Sequence, residues 1–369
     1  MNMSKLFTPL NKEFKKYNPE IDLLKLFFAI VVFILHFSGI PRLHTFLPRG
    51  YLAVEFFFIV SGYFMALKLR SKESPDAFSF IVKKMAPIYP VVFVSTLIAI
   101  ILRMIPMADR SLNGWVTSIL PSVFEMSMLW EQGIYVGRTY NNPTWYISAM
   151  IIAMGFLYPL FRKYLGYFSG VGSLLLALVC YSILFNHSPK ITYYRVYWFI
   201  TTLGVIRAIA GVSLGVFLYD CCSRATRCFS ITALGNFSFM VLKFLCIAFV
   251  SLYALIGSEF KEAAKLDYLV IVVMFAFLFM VFTGWGSFKF LDRLDLRWCS
   301  NLSLYLYLNH YGMRHFLRDA KLDLSSGETL IVYLVGVFLS MSLCYLGVQY
   351  GGRLLRKACS YLFVRNKAS

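Results

Sequence analysis

Apolar residues dominate the chain in runs of about twenty, separated by short polar connections, and none of these runs shows the strict alternation of a half-buried strand. Coiled as a helix, a run of that length matches the thickness of a bilayer's hydrocarbon core. The pattern predicts spans near 22–40, 51–69, 79–103, 144–162, 167–185, 198–219, 231–256, 266–284, 299–317 and 329–349. Backbone polar groups in lipid must be satisfied within each span, so the expected fold is an all-α, polytopic transmembrane bundle of about ten spans. The longest connection, about 104–143, holds an apolar stretch from Trp115 to Trp130 broken by Pro121 and Glu125. It reads as an amphipathic or re-entrant segment on the outer face rather than an eleventh span.

Composition supports this class and excludes others. Of 369 residues, 59% are hydrophobic and only 15% charged, which excludes a soluble fold. A net charge of +18 in a soluble protein would suggest nucleic acid; here Lys and Arg fall mostly between spans, so topology explains them and no nucleic-acid partner is expected. The side that includes the N-terminal arm holds 21 Lys and Arg against 12 on the other, which predicts that both termini are cytoplasmic. Residues 1–20 form a basic arm with Lys5, Lys12, Lys15 and Lys16, followed by a transmembrane domain over 21–350 and a basic tail over 351–369. The run after the arm is longer than a signal-peptide core and lacks a small-residue cleavage site, so it is expected to be retained. None of the eight cysteines falls in a predicted outer loop, as expected where no disulfide is built, and their spacing suggests no metal site.

Ionisable residues inside spans are costly in lipid and therefore stand out. Lys25 and His36 in the first span are eleven residues apart, which places them on nearly one helix face and roughly 16 Å apart along the axis. With the N-terminus inside, Lys25 lies near the cytoplasmic surface and His36 in the outer half. The second span returns Glu55 to a similar depth, where a carboxylate could orient a general-base imidazole. The plainer alternatives are that Lys25 snorkels or pairs with Asp22 and that His36 is packing glue. Arg207, about nine residues into the sixth span, is either a substrate contact or a structural pair with a distant helix. Gly204, Ala208, Gly211 and Gly215 form a small-residue stripe suited to close helix approach.

Six sequence blocks, in order, resemble the acyltransferase-3 family of integral-membrane acyltransferases. Lys25 to His36 is similar to its basic-residue, ten-spacer, histidine signature, with Lys where Arg is usual. Gly50 to Tyr63, through Glu55-Phe-Phe-Phe and Ser61-Gly62, resembles the second-helix signature with its glycine displaced. Lys83-Lys84-Met-Ala-Pro87-Ile88-Tyr89-Pro90 resembles the third-helix entry, with Pro87 where an arginine is expected. Pro143-Thr-Trp145-Tyr146-Ile-Ser148, Arg207 to Gly215 and Leu302 to His310 resemble three later blocks.

The resemblance covers about 20–350 and implies transfer of an acyl group, usually acetyl from cytoplasmic acetyl-CoA, to a hydroxyl of a surface polysaccharide or lipid-linked sugar. On that reading His36 and Glu55 are catalytic, with Glu55 as the orienter. Lys25, Lys83 and Lys84 hold the donor's phosphates, although the positive-inside rule alone could also account for Lys83 and Lys84. Arg207, Trp145, Tyr146, His310 and Asn309 are candidate acceptor contacts. Interfacial anchoring of Trp145 and Tyr146 and a packing role for His310 and Asn309 are the simpler alternatives. His44, His187 and His315 receive no role. The implied setting is the bacterial inner (cytoplasmic) membrane, with membrane lipid and a carbohydrate as partners and no metal; the acceptor, the acyl chain and the oligomeric state stay open. The rival reading is a transporter or flippase whose intramembrane charges line a path for a polar lipid-linked sugar, but no inverted repeat supports it.

Overall fold

The computed structural model describes residues 18–71, 74–107, 111–128, 139–188, 190–192, 194–256 and 265–365, the backbone alone at 118, 121, 122, 124, 169 and 354–365. The predicted arm lies almost wholly outside the described residues, as do Arg110, Trp130, Arg138 and Lys261. Each predicted span coincides with helix. The helices are α1 Pro19–Leu35, α2 Ala53–Leu69, α3 Ala77–Met85, α4 Tyr89–Met104, α5 Leu112–Glu125, α6 Thr144–Lys163, α7 Ser173–His187, α8 Leu203–Cys228, α9 Ala233–Leu255, α10 Asp267–Thr283, α11 Arg297–Asp319 and α12 Ser326–Arg365. A two-stranded antiparallel hairpin, β1 Tyr197–Trp198 and β2 Thr201–Thr202, leads into α8.

Two features depart from the expected ten continuous spans. Residues 79–103 are not one helix: α3 and α4 meet at a 46° bend. Pro87 and Pro90 lie at and beside the break, where proline removes a backbone donor and clashes with the preceding turn. By length and apolarity, six helices among the described residues qualify as membrane spans, or seven with the bent pair counted as one. α10 is apolar but only 17 residues long, and α1, also 17 residues, carries its three charges in its first seven positions, while α11 is interrupted along its length by polar residues. α5 is a 14-residue helix, too short to cross about 30 Å of hydrocarbon. It exposes Leu112, Val116, Leu120 and Val123 along one side. That stripe suits a helix lying in the interface, the amphipathic reading of the 104–143 connection.

The centre of the bundle is built by α2, α6 and α8. Within their most apolar windows, α2 with its leading turn is 78% buried and α8 72%, whereas α9 and α12 at the periphery are 28% and 22% buried. The peripheral helices present Phe244, Leu252 and Phe338 outward, as lipid-facing surfaces do. α2 and α8 touch backbone to backbone. A Cβ on Gly62 would fall 2.0 Å from the Val212 carbonyl oxygen, and one on Gly215 would fall 2.0 Å from that of Ile59. The small-residue stripe is therefore a packing device that lets two helices approach without side chains between them.

The lysines and arginine left inside spans each acquire a carboxylate partner. Lys25 pairs with Asp22 at 2.9 Å, Lys243 with Glu20 at 2.6 Å and Arg207 with Glu55 at 2.5 Å. A further buried pair, Arg49–Asp267 at 3.2 Å, receives hydrogen bonds from Tyr51 and Tyr253 and ties α2's leading turn to α9 and α10. This pairing is what a low-dielectric interior demands of any charge it retains.

Candidate active site

α1 begins with Pro19 in its first turn, and the Asn18 side chain accepts a hydrogen bond from the Glu20 backbone N–H at 3.0 Å. Ile21, Leu24, Phe28, Val32 and Phe33 recur at helical spacing on its buried face. The helix ends at His36, where the chain turns through Gly39 at φ +77°. Arg314 of α11 clamps that turn by donating to the Ser38 carbonyl at 2.8 Å. A Cβ at position 39 would collide with its guanidinium, so both the backbone conformation and the clamp require glycine.

Beside the turn, α11 brings His310 against His36, with 2.9 Å between His310 Nε2 and His36 Nδ1. His310 is fully buried, and its Nδ1 lies 3.0 Å from the Leu306 carbonyl. A carbonyl only accepts, so Nδ1 of His310 carries the proton and Nε2 of the neutral ring is an acceptor. The shared hydrogen therefore belongs to His36 Nδ1. His36 Nε2 is then an unprotonated lone pair, on a residue of intermediate exposure. Such an atom can accept a proton, while His310 fixes the ring's tautomer and orientation. Tyr311 stands edge-on to His36 at 5.1 Å.

Glu55 does not orient His36. Gly211 of α8 packs on Phe58, and the close crossing of α2 and α8 brings Glu55 onto Arg207. Tyr181 of α7 donates to the other carboxylate oxygen at 2.7 Å. Arg207 also donates to the carbonyls of Ile191 at 3.0 Å and Tyr51 at 2.9 Å and lies over the Trp145 ring. It is 2% exposed, so it is an interior strut rather than an acceptor contact. The alternative of a structural pair with a distant helix is the one the tertiary structure adopts.

A cavity of about 240 Å³ lies between α2, the α3–α4 break, α6 and α11. Lys25 and Lys84 flank it, together with Ser300, Asn301 and Ser303; Lys25 is held by Asp22 and by Ser300 at 3.0 Å. Its inner wall is apolar and aromatic, with Phe57, Val60, Tyr146, Met150 and Tyr307. The Tyr307 ring stands 5.9 Å from Tyr146 on one side and 6.3 Å from His310 on the other, so this one side chain separates the cavity from the histidine pair.

The remaining predicted site residues divide. Tyr146 lines the cavity, whereas Lys83 is exposed and does not, because it projects about 100° round α3 from Lys84. Trp145 is buried rather than at an interface, stacked on Tyr194 at 4.3 Å. Asn309 donates to Tyr305 of its own helix at 2.9 Å and sits beside Cys344, away from the cavity. Sequence reasoning missed His310 as the partner of His36, the Arg314 clamp and the serines of α11. The Leu302–His310 block was the available signal, since it already carried Ser303, Tyr307 and His310 at helical spacing.

A family model described as an acyltransferase domain matches residues 18–348, spanning both buried clusters and the cavity. The chain belongs to the acyltransferase-3 family. Comparison with curated proteins and with solved structures finds no match. As a multi-pass membrane acyltransferase it needs a place for an activated acyl donor and a base for the acceptor. Among the described residues no three His, Cys, Asp or Glu side chains gather as a metal site would require.

Proposed function

We propose that this acyltransferase is an O-acyltransferase of the bacterial inner membrane. It moves an acetyl group from cytoplasmic acetyl-CoA to a hydroxyl of a surface polysaccharide or lipid-linked sugar. The observation that carries the proposal is the free Nε2 of His36, left as a lone pair by the Leu306–His310–His36 hydrogen-bond chain. In its role as general base, His36 Nε2 takes the proton of the acceptor hydroxyl, and His310 is the positioning residue that stabilises the charged ring through Nδ1.

The chemistry of the cavity fits the donor. Two ammonium groups at its edge suit phosphates, and the serines and Asn301 supply neutral hydrogen-bonding groups. At about 240 Å³ the cavity is below the roughly 300–1,000 Å³ of pockets that enclose a drug-sized ligand, so it takes the narrow acyl-pantetheine end and leaves the nucleotide outside. In this assignment both termini and the Lys25 end are cytoplasmic, and His36 faces the acceptor side. The test compares glycan acetylation by mass analysis in cells expressing wild type and His36→Gln at equal membrane levels. The proposal requires that the variant inserts but leaves the glycans unacetylated; equal acetylation overturns it.

A further inference from the structure

We infer that Ser61 and Tyr146 form a subsite for the carbonyl oxygen of the acyl donor, a role that rests on the donor cavity proposed above. The two hydroxyls meet in the cavity wall at 7% and 8% residue exposure. Both point at one thioether: Ser61 Oγ lies 3.2 Å from Met150 Sδ and the Tyr146 hydroxyl 3.4 Å from it.

A thioether sulfur is a weak acceptor. Two O–H donors aimed at it in a low-dielectric wall are under-satisfied, and a buried polar group in that condition calls for an explanation. A carbonyl oxygen entering the cavity offers a stronger acceptor to both. The donors are also rigid. Ser61 precedes Gly62, whose backbone abuts Val212 on α8, and the Tyr146 ring is packed at 4.8 Å from Phe58, 5.7 Å from Phe57 and 5.9 Å from Tyr307. Fixed donors directed at one point bind a carbonyl without having to reorganise.

The subsite holds the donor's carbonyl on the cavity side of Tyr307, so it binds and orients the thioester as the donor loads. Met150 is the resting partner that keeps both hydroxyls pointed into the cavity.

The experiment measures binding to the full-length protein in lipid nanodiscs with three probes. These are CoA itself, the dethia ketone analogue of acetyl-CoA, which keeps the carbonyl, and S-ethyl-CoA, which lacks it. Wild type is expected to prefer the ketone over S-ethyl-CoA by about tenfold. Ser61→Ala and Tyr146→Phe each reduce that preference to about threefold, and the double variant removes it, while all four proteins bind CoA with equal Kd. A merely structural role for the pair would alter all three Kd values together and leave the ratio intact. A preference that is absent in wild type or persists in the double variant overturns the subsite alone. Failure of wild type to bind CoA overturns both the donor reading and the subsite.

Discussion

Two buried polar clusters sit in the apolar interior, and they differ in what they leave uncommitted. Around Glu55, both carboxylate oxygens and three guanidinium nitrogens of Arg207 are engaged by protein partners. Around His36, one ring nitrogen is committed to His310 and the other is not. Both clusters look alike as intramembrane charges in a sequence, yet one is fully paired and the other keeps a ring nitrogen uncommitted. The lesson is that unspent hydrogen-bonding capacity, rather than the presence of an ionisable group, marks chemistry in a lipid-embedded fold.

The sharpest way to break this contrast is to exchange the effects. His36→Gln keeps the size and polarity of the turn but removes the base, so transfer to glycan should fall by about 10³-fold or more while the thermal midpoint in detergent changes little. Arg207→Met should do the reverse. It leaves Glu55 buried without its cation, costs about 3–5 kcal/mol and is read as lost yield and a lowered midpoint. Adding Glu55→Gln to that variant should recover part of the loss, because the uncompensated charge is removed; no recovery would mean that the pair is not the strut described.

His310 tests the open cluster more finely. His310→Leu should reduce transfer by about 10- to 100-fold, in line with losses of second-sphere orienting groups, and His310→Gln, which still offers an acceptor to His36 Nδ1, should retain more activity. Equal losses in the two variants would argue for packing alone. The smallest effects belong to the cavity edge. Lys25→Ala and Lys84→Ala should each raise the KM for acetyl-CoA about three- to tenfold and weaken its salt dependence, whereas Lys83→Ala should stay within about twofold.

Much of this molecule was legible before its structure. Runs of about twenty apolar residues placed helix at every predicted span, and the glycine stripe announced close packing where α2 and α8 meet. Lys25 and His36 stood out because an apolar run has no ordinary use for either. The α3–α4 bend was less visible, although Pro87 and Pro90 lay in the sequence, because a proline can kink a helix or end it and only packing decides which. Trp145 misled for a related reason, since an aromatic at a helix start suits either an interface or a core.

Partner choice is what only the tertiary structure decided. Periodicity gives each side chain a face and a depth on its own helix, and it made Glu55 a reasonable neighbour for His36 at matching depth. It does not give the rotation of one helix against another. The backbone contact of α2 with α8 turned Glu55 toward Arg207, and the packing of α11 on α1 put His310 against His36. The sequence alone determined which residues the membrane would not tolerate unpaired; helix packing determined with whom each was paired, and so which nitrogen was left free to react.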